Sequence, residues 1–298
     1  KMSTTLFGII RSLALRTTSL VATRSLAKQK RGLGRKFALA VSAASAFAFT
    51  IHQKRIEIFA KENKQKDKHV IEEADKLYNM GGQYRELYDY LKKQKNVKNC
   101  SILWRLARAA RDLALKGEDV TDNEKKELIY EAFNASKEAL DVDESDFAAH
   151  KWYAITIGDV GDYEGTKVKI SNAFLIRDHL ERATELNPSD ATTLHCLGMW
   201  CFAFADMPWW QHKMAAVIFG TPPSSTYKEA ADYFMQAERV DPNFYSVNLL
   251  MLGKTYIKMN DHKRAMLFLD RVLHYPILNT EDENAKVEAE VLLKSLLG

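Results

Sequence analysis

From about Val70 onward, apolar residues recur three and four positions apart, with charged and polar residues between them. That spacing winds into amphipathic helices with one buried face. Period-two alternation, the mark of a strand, is scarce, and no proline precedes Pro188. The pattern predicts an all-helical body made of paired helices. The first pair spans 70–79 and 83–95 around Gly81-Gly82, and the second spans 104–111 and 127–140. A third opens at Tyr153-Ala154 and closes through Leu180-x2-Ala183, with about ten extra residues near Gly158–Lys169. Two more pairs end at Pro242 and Pro276, and residues 281–297 read as a terminal capping helix.

The last two pairs repeat one another. Leu249-x2-Leu252-Gly253-x2-Tyr256 is followed by Ala265-x3-Leu269 and Pro276, and Pro242 to Pro276 is 34 residues. This is the tetratricopeptide period. Gly253 would let the second helix cross close to the first, with Ala265 as the matching small contact, and the proline would end that helix. One unit earlier, Leu194-x2-Leu197-Gly198 precedes Ala230-x3-Phe234-x2-Ala237 and Pro242, with an insertion around Met207–Thr226. In the 104–140 pair, Arg108 stands where the small residue belongs. The expected fold is an all-α, tetratricopeptide-like helical-repeat solenoid with insertions, a scaffold that presents a concave binding face.

Charge divides the chain. Residues 1–56 hold eleven Lys or Arg and no Asp or Glu, while the remainder holds 32 basic against 39 acidic residues. An acidic body argues against nucleic acid as a partner. The basic segment is rich in Ser and Thr, with Leu6, Ile9, Ile10, Leu13 and Leu20 at roughly helical spacing. That is the composition of a mitochondrial transit peptide, the alternative being a basic disordered tail. Phe37–Ile51 is fifteen uncharged residues, short of the about 20 that span a bilayer. It reads as a continuation of the targeting segment, with a membrane anchor as the alternative. The expected organisation is a targeting segment over 1–36, a short apolar stretch and charged helical linker over 37–69, and the repeat domain over 70–298. Membrane contact is expected only through the N-terminal segment.

Catalytic chemistry finds no footing. The sequence lacks G-x-S-x-G, H-E-x-x-H and a glycine-rich phosphate loop,. Cys196 and Cys201 are five apart, the wrong spacing for one helical face, and read as buried small hydrophobes. Asp141–Asp146 lacks the central glycine of a calcium loop and reads as an interhelix turn. Neither enzyme activity nor a cofactor is expected. Binding features remain. Arg105, Arg108 and Arg111 are three apart and form a stripe suited to an acidic partner, though pairing with nearby acids is the commoner fate. The 207–227 insertion carries Trp209, Trp210 and Phe219; with Trp200 and Phe204 it either completes the core or lines an apolar pocket.

The segments HKWYAITIGDVGDYEGTKVKISNAF, MPWWQHKMAAVIFGTPPSSTYKEA and AERVDPNFYSVNLLMLGKTY resemble the regulator of microtubule dynamics family. The resemblance covers 70–298 and is specific, because generic tetratricopeptide proteins lack the FGTPPSSTY insertion. It implies a non-enzymatic protein that associates with tubulin or microtubules, at the spindle, spindle poles, cytoplasm and mitochondria. A larger relative implies the alternative, a phospholipid- or peptide-binding and tethering module that uses the concave face or an apolar channel. No convincing acidic tethering motif of that relative occurs here.

Overall fold

A computed structural model describes residues 49–94, 98–219 and 222–297, without the side chains of Met214, Ile218 and Phe219. The expected targeting segment over 1–36, most of the apolar stretch 37–51 and the side chain of Phe219 lie outside the described residues. Two compact units are present, Lys1–Lys66 and Asp67–Gly298. In the first, residues 49–66 are helical and almost wholly exposed. No helix among the described residues is long and apolar enough to cross a membrane.

The second unit is helical throughout, with no strand among the described residues. Its helices are α1 (67–80), α2 (Tyr84–Lys92), α3 (Cys100–Lys116), α4 (Asp122–Val142), α5 (Phe147–Glu164) and α6 (Thr166–Leu186). They continue with α7 (Ala191–Ala205), α8 (Trp209–Phe219), α9 (Tyr227–Val240), α10 (Ser246–Lys258), α11 (His262–Leu273) and α12 (Thr280–Leu297). Several helices start where a short polar side chain can take up their free backbone N–H groups. Asn99, Thr121, Asp146, Asp190 and Asp261 cap α3, α4, α5, α7 and α11 in this way. Thr226 and Glu229 form a reciprocal capping box on α9.

Pairs pack as α3 on α4, α5 on α6, α7 on α9 and α10 on α11, and α12 covers α10 and α11. The result is a tetratricopeptide-like solenoid whose core runs along the array in successive clusters. Gly198 and Gly253 are its closest crossings. A β-carbon on Gly253 would meet Leu269 Cδ2 at 2.5 Å, whereas the Ala265 carbonyl oxygen is 3.6 Å away. The close contact therefore falls on Leu269, not on Ala265 as the spacing suggested. Ala265 is fully buried one turn earlier on α11, and Tyr256 stacks on Phe268 beside it.

Two details differ from the sequence reading. In α3, Leu103, Leu106 and Ala107 are buried, so the small residue of that repeat is Ala107 and not Arg108. Reading one position off made the repeat look degenerate. The extra residues near Gly158–Lys169 form no inserted loop. They lengthen α5 and α6 to 18 and 21 residues, which meet at Gly165 with φ +89°. That left-handed backbone suits glycine, which has no β-carbon to clash.

Candidate functional site

The first helices of successive pairs form one layer of the array: α3 packs on α5, α7 on α10 and α10 on α12. Their polar side chains were the main candidates for binding, and the fold engages most of them internally.

The arginine stripe is the clearest case. Arg105 donates from Nε and Nη2 to the two Asp75 carboxylate oxygens, at 2.8 and 2.7 Å, and lies 4.0 Å from the Trp104 ring centroid. Arg108 lies 3.5 Å from the Tyr78 ring centroid and 3.6 Å from Asp75. Arg111 donates to Asp159 at 2.6 Å, tying α3 to α5. Burial alone would raise the Asp75 carboxyl, but hydrogen bonds and charge from Arg105 and Arg108 outweigh it and hold Asp75 below the usual range. Burial pushes Arg108 down. The three guanidiniums sit against α1 and α5 and do not form a free stripe for an acidic partner. Their acids lie 30 to 48 positions away, beyond the reach of a spacing argument.

Further along the layer, Lys151 is buried and donates to both Asp190 oxygens at 3.0 Å, so the α7 cap also anchors α5. His195 on α7 is buried, and burial pushes it down to about 4. Neutral, with its proton on Nδ1, it donates to Asn248 Oδ1 at 3.0 Å, while Asn248 Nδ2 donates to the Phe234 carbonyl at 3.2 Å. His150 and His179 face one another through Nδ1 at 2.8 Å, and His150 Nε2 is 2.9 Å from the Glu144 carbonyl oxygen. Burial raises Cys100 to about 12 and Cys196 to about 11. Among the described residues no cluster of three His, Cys, Asp or Glu is placed to hold a metal ion.

The aromatic candidates divide into a buried set on α7 and an exposed set on the inserted α8. Trp200 and Phe204, both on α7, are buried with ring centroids 4.4 Å apart, and Trp200 Nε1 donates to the Ala173 carbonyl at 2.9 Å. Trp209 and Trp210 stand on α8, 70% and 49% exposed, and Val217 is 87% exposed. The four aromatics therefore do not share one apolar pocket. Core completion falls to α7, and among the described side chains of α8 Ala215 is buried. Repeat packing uses the expected positions: Ala230 and Phe234 are fully buried, and Gly198 sits under the Phe234 ring.

Comparison with known proteins agrees with this architecture. The family described as Regulator of microtubule dynamics protein 1-3 matches residues 70–297. A Bos taurus protein named Regulator of microtubule dynamics protein 1 is 53% identical over 226 residues, 76% of this chain and 70% of its own. The Pongo abelii protein of the same name is 47% identical over 260 residues, 87% of this chain and 82% of its own. Among solved structures, a thermophilic TPR protein of Thermus thermophilus is similar with a TM-score of 0.53. It covers 76% of this chain and 98% of its own at 14% identity, a likeness of fold.

Proposed function

We propose that this chain, which belongs to the regulator of microtubule dynamics family, is a non-enzymatic binding protein that regulates microtubules, at the spindle and its poles and at mitochondria. The observation that carries the reading is the family match across the whole repeat array, residues 70–297. The chemistry of the array is consistent with it. Cys100 and Cys196 are pushed far above neutrality and His195 far below, states poorly matched to nucleophilic or acid–base work.

Tubulin is acidic, and residues 57–298 carry 32 basic against 39 acidic residues. With Arg105, Arg108 and Arg111 engaged inside the fold, positive charge for attachment comes from residues 1–56. The test is co-sedimentation of the full chain with microtubules across a salt series, beside a chain starting at Asp67. Salt-sensitive pelleting that weakens in the shorter chain is expected, since screening shortens to about 3 Å at 1 M salt. Failure of the full chain to pellet at any salt would overturn the proposal.

A second reading rests on the exposed apolar side chains of α8, Trp209 and Val217. They suit contact with a phospholipid surface or an apolar peptide at mitochondria. Co-flotation of the full chain with phospholipid vesicles that ignores salt but fails in Trp209→Ala with Trp210→Ala would favour such an apolar contact.

A further inference from the structure

The C-terminal end of α3 meets the N-terminal end of α12. Lys116, the last residue of α3, places Nζ 3.3 Å from Oε2 of Glu281, the second residue of α12. Between these helices the layer continues through α5, α7 and α10, so the contact joins an early member of the layer to its last.

Both partners are set up for the contact. Lys116 also stands 3.9 Å from the buried Asp112, one turn back on α3. Burial opposes the lysine's charge, but Asp112 and Glu281 outweigh it and raise Lys116 above its ordinary range. Glu281 sits on a stiff platform. Asn279 Oδ1 accepts from the backbone N–H groups of Glu281 and Asp282. Asp282 in turn accepts from the backbone of Leu278 and Asn279 and from Ser246 Oγ at 2.6 Å. A cation at the C-terminus of α3 and an anion at the N-terminus of α12 each oppose the local helix dipole favourably.

Ion pairs tie neighbouring helices of this layer: Arg111 on α3 to Asp159 on α5, and Lys151 on α5 to Asp190 at the start of α7. The charge of Glu281 reaches His195 and Tyr245, and Cys196 feels Arg111, Lys151, Asp159 and Asp190. The bridge itself is part exposed, with side-chain exposures of 36% and 44%. Such a pair is weak and screened by salt, so it opens easily.

We infer that Lys116 and Glu281 form a reversible electrostatic latch that closes the inner face of the repeat array. Raised ionic strength, or an acidic segment competing for Lys116, opens that face. This holds whatever the array binds.

Cys196, half-buried and not fully buried as the sequence suggested, reports the opening through its rate of labelling. The full chain is labelled with N-ethylmaleimide, and the Cys196 and Cys100 peptides are followed by mass spectrometry. Lys116→Glu and Glu281→Lys should each speed Cys196 labelling at low salt by about two- to fivefold, the population change an exposed pair supports. Wild-type labelling should rise by a similar factor in 1 M salt. The double charge swap should label more slowly than Lys116→Glu alone without reaching the wild-type rate, because it restores the attraction across the contact but leaves a carboxylate beside the buried Asp112. Lys116→Gln removes the attraction without adding repulsion and should also label faster. Single variants that label at the wild-type rate would overturn the latch. So would a double swap as fast as the singles, or a parallel rise at Cys100.

Discussion

Gly198 lies directly under the ring of Phe234: a β-carbon on it would stand 2.5 Å from the ring's Cδ1 and Cε1. Gly253 bears the same relation to Leu269 one repeat later. Phe234 is fully buried and its ring is rigid, whereas the end of Leu269 can turn. Gly198→Ala should therefore destabilise more than Gly253→Ala. Gly253→Leu leaves no such escape and should cost about 1–3 kcal/mol of overpacking. Urea unfolding midpoints of the three variants check the order, and an unchanged midpoint in Gly253→Leu would show that the crossing is looser than described.

His195 makes stability depend on pH. Its folded value is about 4 against an ordinary 6.5. Above 6.5 both folded and unfolded chains hold it neutral, and its contribution is fully present. Below 6.5 the unfolded chain takes up a proton that the folded one refuses, so stability falls until pH reaches about 4. Burial also lowers His179, with the same sign. His195→Phe should flatten the acid limb of the stability profile between those limits. A wild-type slope in that variant would exclude His195 as its source.

Removing the partner of His195 is a separate expectation. Asn248→Leu deprives both the imidazole N–H and the Phe234 carbonyl of a partner. A buried polar group left unsatisfied costs about 1–3 kcal/mol. A fall in the thermal midpoint is expected at pH 7, where the acid limb plays no part.

Arg108→Glu should destabilise the repeat domain itself. It removes the cation from the faces of Tyr78 and Trp104 and sets a second carboxylate beside Asp75. Asp75→Asn should destabilise less, by about 1.5–3 kcal/mol, the usual worth of hydrogen bonds to a charged group. Charge reversal at Arg105 or Arg108 is thus a poor probe of microtubule binding unless unfolding is measured alongside. An Arg108→Glu chain that melts with wild type would return the stripe to the list of free surfaces.

Trp209→Ala with Trp210→Ala should change stability by no more than about 0.5 kcal/mol, as expected for exposed positions. Any loss of microtubule, vesicle or peptide binding in that variant then reads a contact. A marked drop in melting temperature would instead place both rings in the core.

Much of the architecture is written locally. Apolar spacing, the short polar caps and the prolines that end Pro242- and Pro276-bounded repeats act within a few residues, so they are legible in one dimension. The repeated Leu-x2-Leu-Gly pattern and the PWW…FGTPPSSTY insertion likewise marked the fold and the family. What each side chain touches was decided by how the pairs stack. Arg105 looked like a surface charge until α1 brought Asp75 to it, and Ala107 took the small position that Arg108 had seemed to hold. Trp200 and Trp209, nine residues apart, parted into core and surface because Trp200 lies on α7, which packs on α9, and Trp209 opens the inserted α8. The Lys116–Glu281 contact lies furthest from any local signal. It exists only because rotations between successive repeats add up and bring α12 back to the end of α3,.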